Sequence, residues 1–307
     1  MKKFLLSLIL LLAATAGVLY LSPGALLASV QFVERQLAGL EPRTVQVEGL
    51  TIHYYEGGPA EGEPLLMLHG FGANRDNWLR FARHFKDYRV IAPDLPGFGE
   101  SSKPDINYDV ASQTERLHAF AKTLGLTRLH LIGNSMGGHI AALYAARHPE
   151  QILSVALLDN AGVTSPRKSE MFEMIERGQP NPLVVRQAED FDALMRFVFV
   201  NPPPLPESLK RHFAEQSMAN QVHYDKIFAQ LRERYVPLEP ELPKIQVPTL
   251  LLWGEQDRVL DVSSIEVMKP LLKQPSVVIM PDCGHAPMIE RPEETARHYQ
   301  AFLESLK

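Results

Sequence analysis

Beyond Arg43 the chain is built from short apolar runs separated by longer stretches of mixed polarity. Thr44–Val47 and Leu50–Tyr55 carry β-branched and aromatic residues and predict a hairpin. Pro64–Leu68, Tyr88–Ala92, Leu129–Ile132, Ser154–Leu158, Thr249–Trp253 and Val277–Met280 are short runs that end at Gly, Pro, Asp or Asn. Their length and their punctuation predict buried strands. Tyr108–Leu124 and Met136–Arg147 have helical spacing between them. Strands of this kind alternating with amphipathic helices predict an α/β protein whose mostly parallel, eight-stranded sheet has helices on both faces.

Two regions break this rhythm. Residues 163–242 contain no clear buried strand; they hold charged, Met-rich helical pieces, with turns at Gln179–Pro182 and Asn201–Pro204. About eighty residues are too many for a plain connection, so the stretch predicts a helical cap inserted into the core. At the other break, Met1-Lys2-Lys3 precedes Phe4–Leu21, eighteen residues without a charge. As a helix this run would be about 27 Å long, close to the hydrocarbon thickness of a bilayer. A cleaved signal peptide has the same opening pattern. The length of the run and the lack of a small-x-small cleavage site favour an uncleaved transmembrane anchor. Lys2 and Lys3 would then stay cytoplasmic, and the catalytic domain would lie on the exported, periplasmic side of the inner membrane. The largely apolar stretch from Ala25 to Leu40 would lie along the membrane surface or extend the anchor past a kink at Pro23. Apolar helices of this kind also make a homodimer plausible. The expected divisions are an anchor at 1–24, a juxtamembrane helix at 25–43, core segments at 44–162 and 243–307, and the cap at 163–242.

Composition narrows the function. Apolar residues are 45% of the 307 and the net charge is −5, an ordinary globular balance that offers nucleic acid no basic groove. The one cysteine, Cys283, cannot form an internal disulfide and reads as a small buried residue. There is no H-E-x-x-H, no clustered Cys/His set, and no Walker or dinucleotide glycine pattern, so no metal or cofactor is expected.

Candidate chemistry starts at Gly133-Asn134-Ser135-Met136-Gly137, a G-x-S-x-G. The pattern alone is weak, but here it follows a predicted strand and opens a predicted helix. A serine on that turn needs a base, and the base needs an orienting acid. Among eleven histidines, His285 follows the last strand, at the end of the sheet where ligands bind. His53, His118, His212 and His298 read as solvated, His148 as helix-terminal and His130 as structural. Asp257, just past the preceding strand, is the favoured acid, and Glu255, Asp261 and Asp159 are rivals. The order Ser135, Asp257, His285 suits a serine hydrolase of this topology. Backbone N–H groups of Met136, after the nucleophile, and of Phe71, in His69-Gly70-Phe71-Gly72, are the expected oxyanion donors.

With these residues in place the chain resembles the α/β-hydrolase superfamily over nearly its whole length after Arg43. His69–Gly72, Asp94–Ser101, Gly133–Gly138, Trp253–Asp257 and Cys283–His285 carry the resemblance. Asp257–Ser263 and Met288–Pro292 are similar to the mammalian membrane-anchored monoacylglycerol lipases and to bacterial lipases and phospholipases A with one amino-terminal transmembrane helix. That resemblance implies hydrolysis of fatty-acyl esters in lipids, a structural role for Asp94, and a cap that acts as a lid over an acyl pocket. Two other readings stand beside it. One is a carbon–carbon hydrolase of ring-fission products, which shares Gly-Asn-Ser-Met-Gly-Gly. The other is a membrane-tethered lipid-binding protein that kept the fold without turnover.

Overall fold

A computed structural model describes residues 22–307. The expected anchor at 1–24 falls almost wholly outside the described residues. Among the described residues, no helix is long and apolar enough to cross a membrane.

The chain enters through helix α1, Pro23–Ala38. Ser22 caps it, with Oγ accepting the Ala25 N–H at 3.3 Å, and Pro23 occupies the first turn, where its missing N–H costs nothing. Pro23 is therefore the first residue of this helix. Gly39 ends it in the left-handed region (φ 67°), and strand β1 starts at Leu40. The helix packs against β1 and against the cap helix Glu207–Ala219, while Phe32, Val33 and Leu37 stay exposed.

Eight strands follow: β1 Leu40–Val47, β2 Leu50–Gly57, β3 Pro64–Leu68, β4 Arg89–Pro93, β5 Leu129–Asn134, β6 Ile152–Leu158, β7 Thr249–Gly254 and β8 Pro275–Met280. They form one sheet in the order β1-β2-β4-β3-β5-β6-β7-β8. Only the β1–β2 and β2–β4 pairs are antiparallel. The continuous apolar runs have a direct cause. In β3, Leu66 and Leu68 face one core while Leu65 and Met67 face the other; in β7, Leu251 and Trp253 oppose Leu250 and Leu252. The first core is closed by the helices Val110–Thr123 and Met136–Arg147, and the second by Trp78, Phe81, Phe85 and the carboxy-terminal helix Pro292–Glu304.

Between β6 and β7 lie four helices, Glu170–Glu176, Asp190–Val198, Glu207–Ala219 and Gln221–Glu233, and no strand. Turns and coil join these helices within residues 163–242. The sheet resumes at Thr249, a few residues after Lys244, because Leu242–Lys244 forms a 3₁₀ turn.

Candidate active site

The geometry at Ser135 follows from close packing. Strand β5 runs into the Met136–Arg147 helix with one residue between them, and Ser135 takes φ 57° and ψ −120° there. Non-Gly residues avoid such a conformation, so the surroundings must enforce it. The Ser135 N–H donates to Leu158 O at 3.0 Å, and its carbonyl accepts the Ala161 N–H at 3.1 Å. The flanking glycines are required by approach distance. A methyl on Gly133 would meet Gly137 O at 2.3 Å, and one on Gly137 would meet Leu68 O at 2.4 Å. The helix can start against the sheet only without those side chains.

His285 and Asp257 come together beside this turn. The His285 Nδ1–H donates to Asp257 Oδ2 at 2.8 Å, and both side chains are shielded from solvent. Asp257 Oδ1 accepts the N–H groups of Val259 (2.7 Å) and Leu260 (3.1 Å). The Asp257 carboxylate thus accepts three N–H donors, which fix its orientation. The Trp253 indole N–H, bonded to Leu260 O at 2.9 Å, ties that loop back to β7. The opposite ring nitrogen of His285, Nε2, is buried and has no hydrogen-bond partner among the described residues. Ser135 Oγ makes no hydrogen bond to it in this arrangement; catalytic contacts of this kind are often loose without substrate. Of the rival acids, Glu255 and Asp261 make no bond to His285. Asp159 lies close to the pair: one oxygen of Asp159, one of Asp257 and one ring nitrogen of His285 are all within 4.8 Å of one another.

The loop after β3 carries Phe71. His69 sets its shape: Nδ1–H donates to Gly70 O at 2.8 Å, and Nε2 accepts the Leu95 N–H at 3.0 Å. Burial pushes the imidazole pKa below its ordinary value, which keeps the ring neutral and able to do both. Asp94 has the structural place expected of it. It accepts from Arg75 N and Nη1, each at 2.7 Å, and from Glu100 N at 2.8 Å. Among the described residues, the N–H groups of Phe71 and Met136 donate to no protein acceptor. Both residues line a cavity of about 530 Å³ with Ser135 at its wall. The size is that of a small-molecule site. Its lining is mostly apolar, and the cap contributes Met171, Phe172, Leu183 and Leu231.

Three residues matter here that sequence reasoning did not single out. Asn134, the variable position before the serine, donates Nδ2–H to His285 O at 2.9 Å and to Leu158 O at 3.2 Å. It joins the strand that precedes Ser135 to the loop that carries His285, across 151 positions. Glu290 accepts the Gly284 N–H at 2.9 Å through Oε2 and the Asn201 N–H at 2.7 Å through Oε1, which couples the His285 loop to the cap. His139, one turn after Ser135, lines the cavity, and its Nε2–H donates to Val236 O at 2.8 Å; burial lowers its pKa to about 4. A polar residue at the buried end of the strand was the one available signal for Asn134. Cys283 is buried, as expected, and burial raises its thiol pKa. His130 is buried in β5 against Ser154 Oγ, consistent with a structural role. His53, His118, His212 and His298 are half-buried rather than freely solvated, and His118 stacks on His148 at 4.0 Å.

Residues 63–292 match the family described as the alpha/beta hydrolase fold. A lipase of Psychrobacter immobilis, Lipase 1, is 38% identical over 278 residues, which is 89% of this chain and 87% of that protein. The monoacylglycerol lipase abhd6-B of Xenopus laevis is 31% identical over 299 residues, 93% of this chain and 88% of that protein. The crystal structure of a membrane phospholipase A, a bacterial virulence factor, aligns with a TM-score of 0.92 at 66% identity, covering 100% of this chain and 99% of that one.

Proposed function

We propose a reaction for a chain that belongs to the α/β-hydrolase fold family: hydrolysis of carboxylic esters of fatty acids in lipids through an acyl-enzyme on Ser135. The observation that carries this reading is the Asp257–His285 hydrogen bond beside the strained Ser135 turn, at the wall of an apolar cavity. The similarity to lipases, a monoacylglycerol lipase and a membrane phospholipase A supports the same class of substrate.

The roles follow from the chemistry. His285 Nε2 removes the Ser135 proton as Oγ attacks the ester carbonyl. Asp257 holds the Nδ1–H tautomer and stabilises the imidazolium. The Phe71 and Met136 N–H groups, which have no other acceptor, take the oxyanion. The imidazolium returns its proton to the leaving alcohol. Water, deprotonated by the same imidazole, then attacks the acyl-enzyme, and the fatty acid leaves with Ser135 restored. In this reading residues 163–242 form the lid over the acyl pocket, and residues 1–24 tether the enzyme to the inner membrane. The catalytic domain is then on the periplasmic side, and the amino-terminal helices bring two protomers together.

The test is hydrolysis of mono-, di- and triacylglycerols, lysophospholipids and phospholipids by the wild type and by Ser135→Ala. Release of fatty acid from at least one class, abolished by the substitution, supports the reading. Undiminished release by Ser135→Ala, or release from none of the classes, refutes it.

A further inference from the structure

The mechanism above leaves one buried carboxyl beside it unused. Asp159 directly follows β6, and its own N–H donates to Leu252 O of β7 at 3.0 Å. Its backbone is in the left-handed region (φ 44°) and its side chain is fully shielded. Oδ1 accepts one bond, from the Gly254 N–H at 2.8 Å, while Oδ2 is buried without a partner. Asp257, by contrast, receives three N–H donors. Two carboxylates this close in a dry site repel each other strongly. The titratable groups facing Asp159 are Asp257 from the loop after β7, His285 and Cys283 from the loop after β8, and Glu290 from the short helix Pro287–Glu290. Burial first, and the Asp257 charge second, hold the Asp159 carboxyl well above the usual carboxylate range.

We propose that Asp159 is a second positioning acid for His285, placed to accept the Nδ1–H when Asp257 is lost. The proposal rests on the Ser135–His285 reading above. Its geometric basis is that Asp159 already has an oxygen within 4.8 Å of the imidazole and of Asp257, with one oxygen that accepts no N–H or O–H donor among the described residues. No further atom is required. A proton leaves Asp159 for solvent, and a carboxylate of the same charge replaces the one removed.

The experiment compares the full chain with Asp159→Asn, Asp257→Ala, the double variant, Ser135→Ala and His285→Ala, using p-nitrophenyl butyrate hydrolysis across pH. Asp257→Ala should keep at least about tenfold more kcat/KM than the double variant, which falls to the level of His285→Ala. Residual activity of Asp257→Ala should also rise with pH as Asp159 ionises, a limb that the double variant lacks. Equal activity of folded Asp257→Ala and the double variant at every pH overturns the proposal. A second measurement does not depend on how Asp257→Ala folds. Infrared spectra of the wild type should contain the carbonyl band of a protonated buried carboxyl that disappears in Asp159→Asn, and its absence overturns the proposal too. Failure of the underlying triad reading looks different, because Ser135→Ala or His285→Ala would then retain wild-type rates.

Discussion

Replacing Asn134 tests how the base is held. Its amide group spans two carbonyls, His285 O and Leu158 O, and it is 4% exposed. Asn134→Ala removes both donors; Leu158 O keeps the Ser135 N–H, but His285 O is left facing a small void. A buried acceptor left unpaired costs about 1–3 kcal/mol. For a chain of this size that corresponds to a fall in Tm of about 2–5 °C. The effect on rate has a separate origin. Without the tie the His285 loop relaxes, and a shift of about 1 Å in a catalytic group costs on the order of 10²-fold. The loss should fall on kcat rather than KM, since Asn134 does not line the acyl cavity. Asn134→Asp sharpens the test because shape is kept while an acceptor replaces the donor. At neutral pH it should be less stable than Asn134→Ala, with a carboxylate against two carbonyls. Its pKa is raised in the folded state, so the penalty is absent below about pH 4 and grows as pH rises. Thermal denaturation and kcat on a soluble ester measure both effects. Wild-type Tm and kcat in Asn134→Ala would refute this role, as would an Asn134→Asp more stable than Asn134→Ala at neutral pH.

Other consequences follow from specific contacts. A methyl on Gly70 would lie 3.0 Å from Ser135 Cβ, so Gly70→Ala should lower kcat about 10–100-fold with little change in KM, and an unaltered kcat would contradict the close packing of that loop on the nucleophile. Because the His139 pKa is lowered to about 4 by burial, its neutral form belongs to the folded state; stability is full above the ordinary histidine pKa of about 6.5 and declines by up to about 3 kcal/mol as pH falls from there towards 4. His139→Phe should flatten that decline in urea titrations, and an unchanged slope would show that other groups govern it. Removing residues 1–20, which preserves the Ser22 cap of α1, should spare hydrolysis of a soluble ester and reduce hydrolysis of lipid in vesicles, through loss of local concentration. An equal loss on both substrates would count against tethering.

What the sequence revealed, and what it concealed, has a physical pattern. Strands buried on both faces announce themselves because nearly every position is apolar: β3, β5 and β7 are buried at almost all their residues. The first strand was read short because Glu41, Pro42 and Arg43 belong to an exposed edge, where side-chain type carries little information about pairing. Cap helices showed their presence but not their limits, since they bury only small patches: Met171 in one, Ile227 in another. The candidate site was legible as far as local chemistry goes. A G-x-S-x-G between strand and helix, and Asp257 and His285 beyond the last two strands, are all properties of short segments. Asn134 and Glu290 were not legible in their roles, because each depends on a contact made only in three dimensions, whereas Asp159 was already a rival acid from its place after a strand. The Asn134 amide reaches a carbonyl on another strand's loop, and the Glu290 carboxylate joins the His285 loop to the cap.

The central claim is that His285 makes one hydroxyl in this chain abnormally nucleophilic. Labelling the folded wild type and His285→Ala with a fluorophosphonate, followed by peptide mapping, measures it directly. The account predicts a single adduct on Ser135 in the wild type and labelling slower by about 10³-fold or more in His285→Ala. Adducts on another residue, or equal rates in the two proteins, would contradict it.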